Sequence, residues 1–107
     1  MEILPREAHA MLQEEGKAVL VDVREPSEFS LSRIDNSELI PMQYIPAQLQ
    51  RLEGLADDAT LLILCHHGVR SLQVASWLRD HGVENCYSVA GGIDRWSIEI
   101  DSSVPRY

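Results

Sequence analysis

The chain has 107 residues, enough for one compact core spanning residues 1–107 but not for two, since domains most often run to roughly 100–150 residues. Hydrophobic residues make up 45% and charged residues 24%, the balance of a globular chain rather than a disordered or fibrous one. The net charge of −8, nine Lys plus Arg against seventeen Asp plus Glu, argues against a nucleic-acid binder that tracks phosphates.

In chain order, Ile3-Leu4 is a short strand candidate. Pro5 then opens a helix in which Ala8, Met11 and Leu12 recur at spacings of three and four until Gly16 stops it. Ala18 to Val23 (AVLVDV) reads as a central strand. Ser27 is placed to cap a short turn carrying Phe29 and Leu31, and Glu38 to Ile40 is a weaker strand. Ile45, Leu49 and Leu52 mark one face of a helix expected to end at Gly54. Thr60 to Cys65 (TLLILC) is nearly unbroken in Leu and Ile, as in a strand covered by helices on both faces. A helix follows from Arg70 or Ser71 to His81, with Leu72, Ala75 and Leu78 on one face, Trp77 beside them and Gly82 as its stop. Cys86 to Val89 is the last strand, and Gly91-Gly92 opens a final helix with Ile93 and Trp96. Apolar strands alternating with helical segments are the pattern of an α/β domain with a mainly parallel sheet.

The longest apolar run, Thr60 to Cys65, is far short of the roughly 18–20 residues of a membrane span, and no basic stretch followed by a hydrophobic one opens the chain. A soluble, cytoplasmic protein with no nucleic-acid or membrane partner is expected. Two cysteines, Cys65 and Cys86, are too few for a disulfide scaffold, so free thiols are expected, with Cys86 in the core. Trp77 and Trp96 read as packing residues.

The chemistry is concentrated where TLLIL runs into Cys65-His66-His67-Gly68-Val69-Arg70-Ser71 and then into a helix. In open α/β sheets ligands sit at the carboxyl ends of strands. A short loop curling into a helix turns successive N–H groups inward, and the helix start adds roughly half a positive charge. Such a cradle stabilises a thiolate at its mouth, which makes Cys65 the candidate nucleophile. Gly68 permits a left-handed turn, and Arg70 brings a planar, permanently charged fork suited to an oxyanion. Taken alone, Cys65 would read as an inert buried thiol; strand, Cys, Gly, Arg and helix in succession favour catalysis.

These residues resemble the active-site loop of the rhodanese homology family, Cys-x-x-Gly-x-Arg-Ser. Val21-Asp22-Val23-Arg24-Glu25-Pro26-Ser27-Glu28-Phe29 is similar to the family's Asp-Val-Arg-Glu…Glu-Phe block, and Ile40-Pro41 to its Ile-Pro. Asn85 to Tyr87 with Ala90-Gly91-Gly92-Ile93-Asp94-Arg95-Trp96 is similar to its ending. The resemblance implies a three-layer α/β sandwich with a five-stranded parallel sheet flanked by helices. It also implies transfer of sulfane sulfur through a Cys65 persulfide, from a small anionic donor such as thiosulfate to cyanide or to a thiol such as thioredoxin or glutathione. His66, His67, Gly68, Val69, Arg70 and Ser71 would surround the transferred sulfur, while Asp22 and Arg24 would support the site structurally. No cofactor is implied. The chain departs from the family at Ser32-Arg33-Ile34 and Asn36-Ser37, where Gly-His-Ile and Gly-Ala are usual, so the turn before the third strand is expected to differ locally.

Three rival readings compete with sulfur transfer. Related cysteine-dependent phosphatases and arsenate reductases place five residues between Cys and Arg, whereas four intervene here. Zinc binding by Cys65, His66 and His67 is disfavoured because adjacent side chains rarely converge on one ion, so no metal is expected and both histidines are expected to face solvent at the rim. A non-catalytic interaction or sulfur-carrier module on the same fold is the remaining alternative, disfavoured by the Cys, Gly and Arg held in register.

Overall fold

A computed structural model describes residues 1–107. The strands are β1 (Glu2–Ile3), β2 (Ala18–Asp22), β3 (Glu38–Leu39), β4 (Thr60–Leu64) and β5 (Cys86–Val89). The helices are α1 (Pro5–Leu12), α2 (Pro26–Leu31), α3 (Leu49–Asp58), α4 (Val69–Asp80) and α5 (Gly92–Glu99), and two 3₁₀ turns, Met42–Tyr44 and Pro46–Gln48, lead into α3. All neighbouring strands are parallel, in the order β1-β5-β4-β2-β3. No helix is long and apolar enough to cross a membrane.

The alternation of side chains along β2 and β4 builds two separate cores. Val21, Val23, Leu61, Ile63 and Cys65 point to one face, where they meet Leu52 of α3 and Val74, Ala75 and Leu78 of α4. Leu20, Leu62 and Leu64 point to the other, against Ala8 of α1 and Ile93 and Trp96 of α5. The result is the three-layer arrangement of a five-stranded parallel sheet between helices. Because β4 lies between β2 and β5, with chain connections leading away to both sides, its carboxyl end opens into the crevice that such sheets offer a ligand.

Several boundaries differ from those expected, each for a local reason. The cap of α2 is Glu25 rather than Ser27: a reciprocal capping box joins Glu25 and Glu28, and Pro26 takes the first helical position. Gly54 does not end α3, which continues to Asp58; the helix of Leu49 and Leu52 outweighs the modest cost of an internal glycine. On α4 the buried face is Ser71, Val74, Ala75 and Leu78, whereas Leu72 is exposed. Trp77 is only partly buried, stacking on His81 at 3.9 Å, while Trp96 is core.

The segment that departs from the family pattern is accommodated within the same fold. Asn36 replaces a glycine at φ +67°, a left-handed backbone that Asn tolerates better than other side-chain-bearing residues. Ser32 is buried, donates its hydroxyl to the Pro105 carbonyl at 2.6 Å and so pins residues 104–107 beside β2. Since Asn36 is exposed, only its backbone matters. Asn36→Gly is therefore expected to preserve or raise stability, and Asn36→Val to lower it by about 1–2 kcal/mol; urea denaturation of the two variants measures the difference, and equal stabilities would remove the strain argument.

Candidate active site

β4 delivers Cys65 to the edge of the crevice, with its side chain 1% exposed. Gly68 turns the loop back at φ +100° and caps α4, which brings its N–H to 3.0 Å from Cys65 Sγ. The Ser71 hydroxyl, one helical turn on, lies 3.2 Å from the same sulfur and 2.7 Å from the hydroxyl of Ser88 on β5. Ser88 can donate to Ser71 and Ser71 to Sγ, a relay that favours negative charge on sulfur. The first N–H groups of α4, from Val69 to Ser71, have no acceptor within their own helix and supply the positive end of its dipole.

The other side of the loop is held by α5. Ile93 N–H donates to the Cys65 carbonyl at 2.8 Å and Asp94 N–H to the His66 carbonyl at 3.1 Å. Gly92 makes this approach possible: a Cβ there would sit 2.4 Å from the His66 carbonyl oxygen and 2.5 Å from that of Cys65. The Gly91-Gly92 pair therefore serves close packing against the loop as well as the helix start.

Asp22 and Arg24 form a fully buried pair at the end of β2, adjacent to β4. Arg24 donates from Nη2 to Asp22 Oδ2 at 2.6 Å and from Nε to Oδ1 at 2.9 Å, then to the Ser32 carbonyl at 2.6 Å and the Tyr107 hydroxyl at 2.8 Å. Burial alone would ease loss of its proton, but the hydrogen bonds to Asp22 and Tyr107 outweigh it and hold the guanidinium charged. The pair ties β2, the α2 segment and residues 104–107 together, a structural place with no hydrogen bond to Cys65.

Arg70 is bound to a partner that the sequence reading did not single out. Its Nη1 and Nη2 donate to Glu28 Oε2 and Oε1 at 2.7 and 2.9 Å, a bidentate fork. Glu28 also accepts from the Glu25 N–H at 2.9 Å and from the Tyr107 hydroxyl at 2.9 Å. The Arg70 hydrogen bonds, foremost, hold its carboxyl down at about 2.

Of the paired histidines, His67 faces solvent as expected and His66 does not. The His66 ring lies between those of Tyr107 and His67, with both centroids at 3.9 Å. Its Nε2 is sequestered without a hydrogen-bond partner, and burial, then the neighbouring His67, lowers its pKa. The physical reason is Tyr107, whose position against the loop follows from the Ser32 and Arg24 contacts. Asp94 of α5 brings a carboxylate near both rings, so that one donor atom of each of the three lies within 4.8 Å of the others. These are the residues that could hold a metal, although Arg106 already engages Asp94 at 2.8 Å. Val69 is exposed at the rim, and Cys86 is buried in the core, with burial raising its thiol pKa.

Residues 4–99 match the family model described as the rhodanese-like domain. The thiosulfate sulfurtransferase GlpE of Haemophilus influenzae is 36% identical over 96 residues, which cover 89% of this chain and 86% of that one. A chloroplastic rhodanese-like/PpiC domain-containing protein of Arabidopsis thaliana is 31% identical over 99% of the chain, which spans only 37% of that relative's length. Among solved structures, a rhodanese-like domain protein from Staphylococcus aureus superposes with a TM-score of 0.80 at 30% identity, covering 100% of this chain and 99% of that one.

The depressed Glu28 carboxyl has a consequence for stability. Its folded value lies below the ordinary 4.5, so its contribution is present above pH 4.5 and is lost as pH falls towards 2. Glu28→Gln is expected to cost about 1–3 kcal/mol at pH 7, narrowing steadily as denaturation is repeated from pH 4.5 downward. A gap that stays constant over that range would show that the charge of Glu28 is not its source.

Proposed function

The chain belongs to the rhodanese-like domain family, and from that premise we propose that it is a sulfurtransferase working through a Cys65 persulfide. The observation that carries this reading is the convergence of the Gly68 N–H and the Ser71 hydroxyl on Cys65 Sγ at the start of α4. Family relatives that act as thiosulfate sulfurtransferases support it.

In the first half-reaction the Cys65 thiolate attacks the outer sulfur of an anionic donor such as thiosulfate. The Sγ–S bond forms while the donor's S–S bond breaks, and sulfite leaves with the electron pair. The persulfide then occupies the space bounded by residues 66–71, where loop N–H groups and the α4 dipole offset its charge. In the second, cyanide or a small thiol attacks the outer sulfur and Cys65 leaves as thiolate. A thiol acceptor such as glutathione or thioredoxin suits a reducing compartment such as the cytoplasm, which also agrees with the two unpaired cysteines. Four residues between Cys65 and Arg70 make a ring better matched to one sulfur than to a phosphoryl group.

Intact mass after incubation with thiosulfate tests the proposal. The wild-type protein is expected to gain one sulfur, about 32 Da, that cyanide removes, whereas Cys65→Ser gains none and loses at least about a thousandfold of its transfer rate. Sulfur loaded onto Cys86 in the Cys65→Ser protein, with activity retained, would overturn the assignment.

A further inference from the structure

The loop's own arginine already faces a carboxylate. Nη1 and Nη2 of Arg70 each donate one hydrogen bond to Glu28, at 2.7 and 2.9 Å, so that its charge is balanced although other N–H donors of the guanidinium stay open. Glu28 is fixed in turn by the Glu25 N–H and the Tyr107 hydroxyl, each at 2.9 Å, so the carboxylate cannot readily swing aside. Arg24, Arg95 and Arg106 are paired as well, with Asp22, Glu99 and Asp94. A donor approaching Cys65 thus meets cations whose charge is already cancelled, on a chain of net charge −8. Thiosulfate is a dianion and would bring two negative charges towards the Glu28 carboxylate. Beside Arg70 lies a cleft whose walls combine the apolar Met42, Ile45, Pro46, Val74 and Trp77 with Glu25, Gln43 and Gln73, a surface that offers a bare inorganic anion little beyond Arg70 itself.

Resting on the sulfurtransferase reading above, we propose that Glu28 sets donor specificity: by engaging Arg70 it turns the site from dianions towards singly charged organic sulfane donors, whose apolar body lies in the cleft formed by Met42, Ile45, Pro46, Val74 and Trp77. The step balances for that class. The Cys65 thiolate and R–SO₂–S⁻ give Cys65–S–S⁻ and R–SO₂⁻; the Sγ–S bond forms, the donor S–S bond breaks, and the sulfinate carries off the electron pair. A hydropersulfide anion reacts in the same way with a thiolate as leaving group. Neither needs an oxidant or reductant. Glu28 makes no hydrogen bond to Cys65, so its role is positional and electrostatic.

Three probes separate charge from shape: thiosulfate, methanethiosulfonate, which has one charge and no apolar body, and benzenethiosulfonate, which has one charge and an aromatic body. The readout is kcat/KM for loading Cys65, each value divided by the probe's rate with a free thiol in solution. In the wild type the order is expected to be benzenethiosulfonate, methanethiosulfonate, thiosulfate, with at least about tenfold between first and last. Glu28→Gln leaves Arg70 with an uncancelled charge and should raise thiosulfate loading about tenfold, chiefly through KM, and methanethiosulfonate loading by less. Tyr107→Phe, which removes the hydroxyl that Glu28 shares with Arg24 but leaves the Glu28–Arg70 fork in place, should move thiosulfate in the same direction by a smaller factor and decides the matter if Glu28→Gln fails to fold. Trp77→Ala should remove the advantage of benzenethiosulfonate over methanethiosulfonate. Slower thiosulfate loading in Glu28→Gln or Tyr107→Phe would mean that Glu28 orients Arg70 for the dianion, and that result, or an unchanged donor ratio, overturns the proposal while leaving sulfur transfer intact. Failure of every probe to load Cys65 in the wild type would instead overturn the sulfurtransferase reading, and this inference with it.

Discussion

The site depends on the contact between the start of α5 and the peptide units that follow Cys65. A trans peptide points its C=O and N–H in opposite directions. When the carbonyls of Cys65 and His66 are drawn to the N–H groups of Ile93 and Asp94, the N–H groups of the same peptide units face away from α5, into the loop. The missing side chain of Gly92 is the condition for this, since any Cβ would overlap both carbonyl oxygens. The left-handed turn at Gly68 completes the curl and places its N–H on the sulfur. Two backbone positions, one on each side of the loop, thereby curl an ordinary strand-to-helix connection around Cys65 Sγ.

Charge is organised around that pocket in pairs. Asp22 with Arg24, Glu28 with Arg70 and Asp94 with Arg106 bring three arginines and three carboxylates into one region with little net charge. The buried pair at the end of β2 is costly to break, since removing one partner of a buried ion pair typically loses about 3–5 kcal/mol. It holds the segment from which Glu28 projects, and Tyr107 bridges the two pairs by accepting from Arg24 and donating to Glu28. The neutral rim leaves backbone dipoles and the α4 terminus as the uncancelled source of positive potential at Cys65, a source that suits a sulfur anion held close and does little for a charge farther out.

Much of this was legible in the sequence, and what was not had a common physical origin. The runs AVLVD and TLLIL are strands because both of their faces are covered, and continuous apolarity reports that directly. Cys65, Gly68 and the start of α4 are neighbours in the chain, so their spacing carried the geometry. The partners of Arg70 and His66 are Glu28 and Tyr107, separated from them by 42 and 41 residues, and no periodicity marks such a pairing. Glu28 stood inside a recognised block, yet its role follows only once α2 lies beside the loop. Asp94 joined the histidines for the same reason. The errors at Ser27 and Gly54 were local competitions: a capping box outranked a serine, and helical packing outranked a glycine.

The central claim is that the loop's inward N–H groups, organised by Gly68 and Gly92, hold a sulfur atom on Cys65. A crystal structure of the protein after loading with a sulfane donor tests it most directly. The expected result is additional density on Cys65 Sγ within hydrogen-bonding distance of loop N–H groups, with the Cys65 and His66 carbonyls still bound to α5. A loaded sulfur turned away from those N–H groups, or found on Cys86, would contradict it.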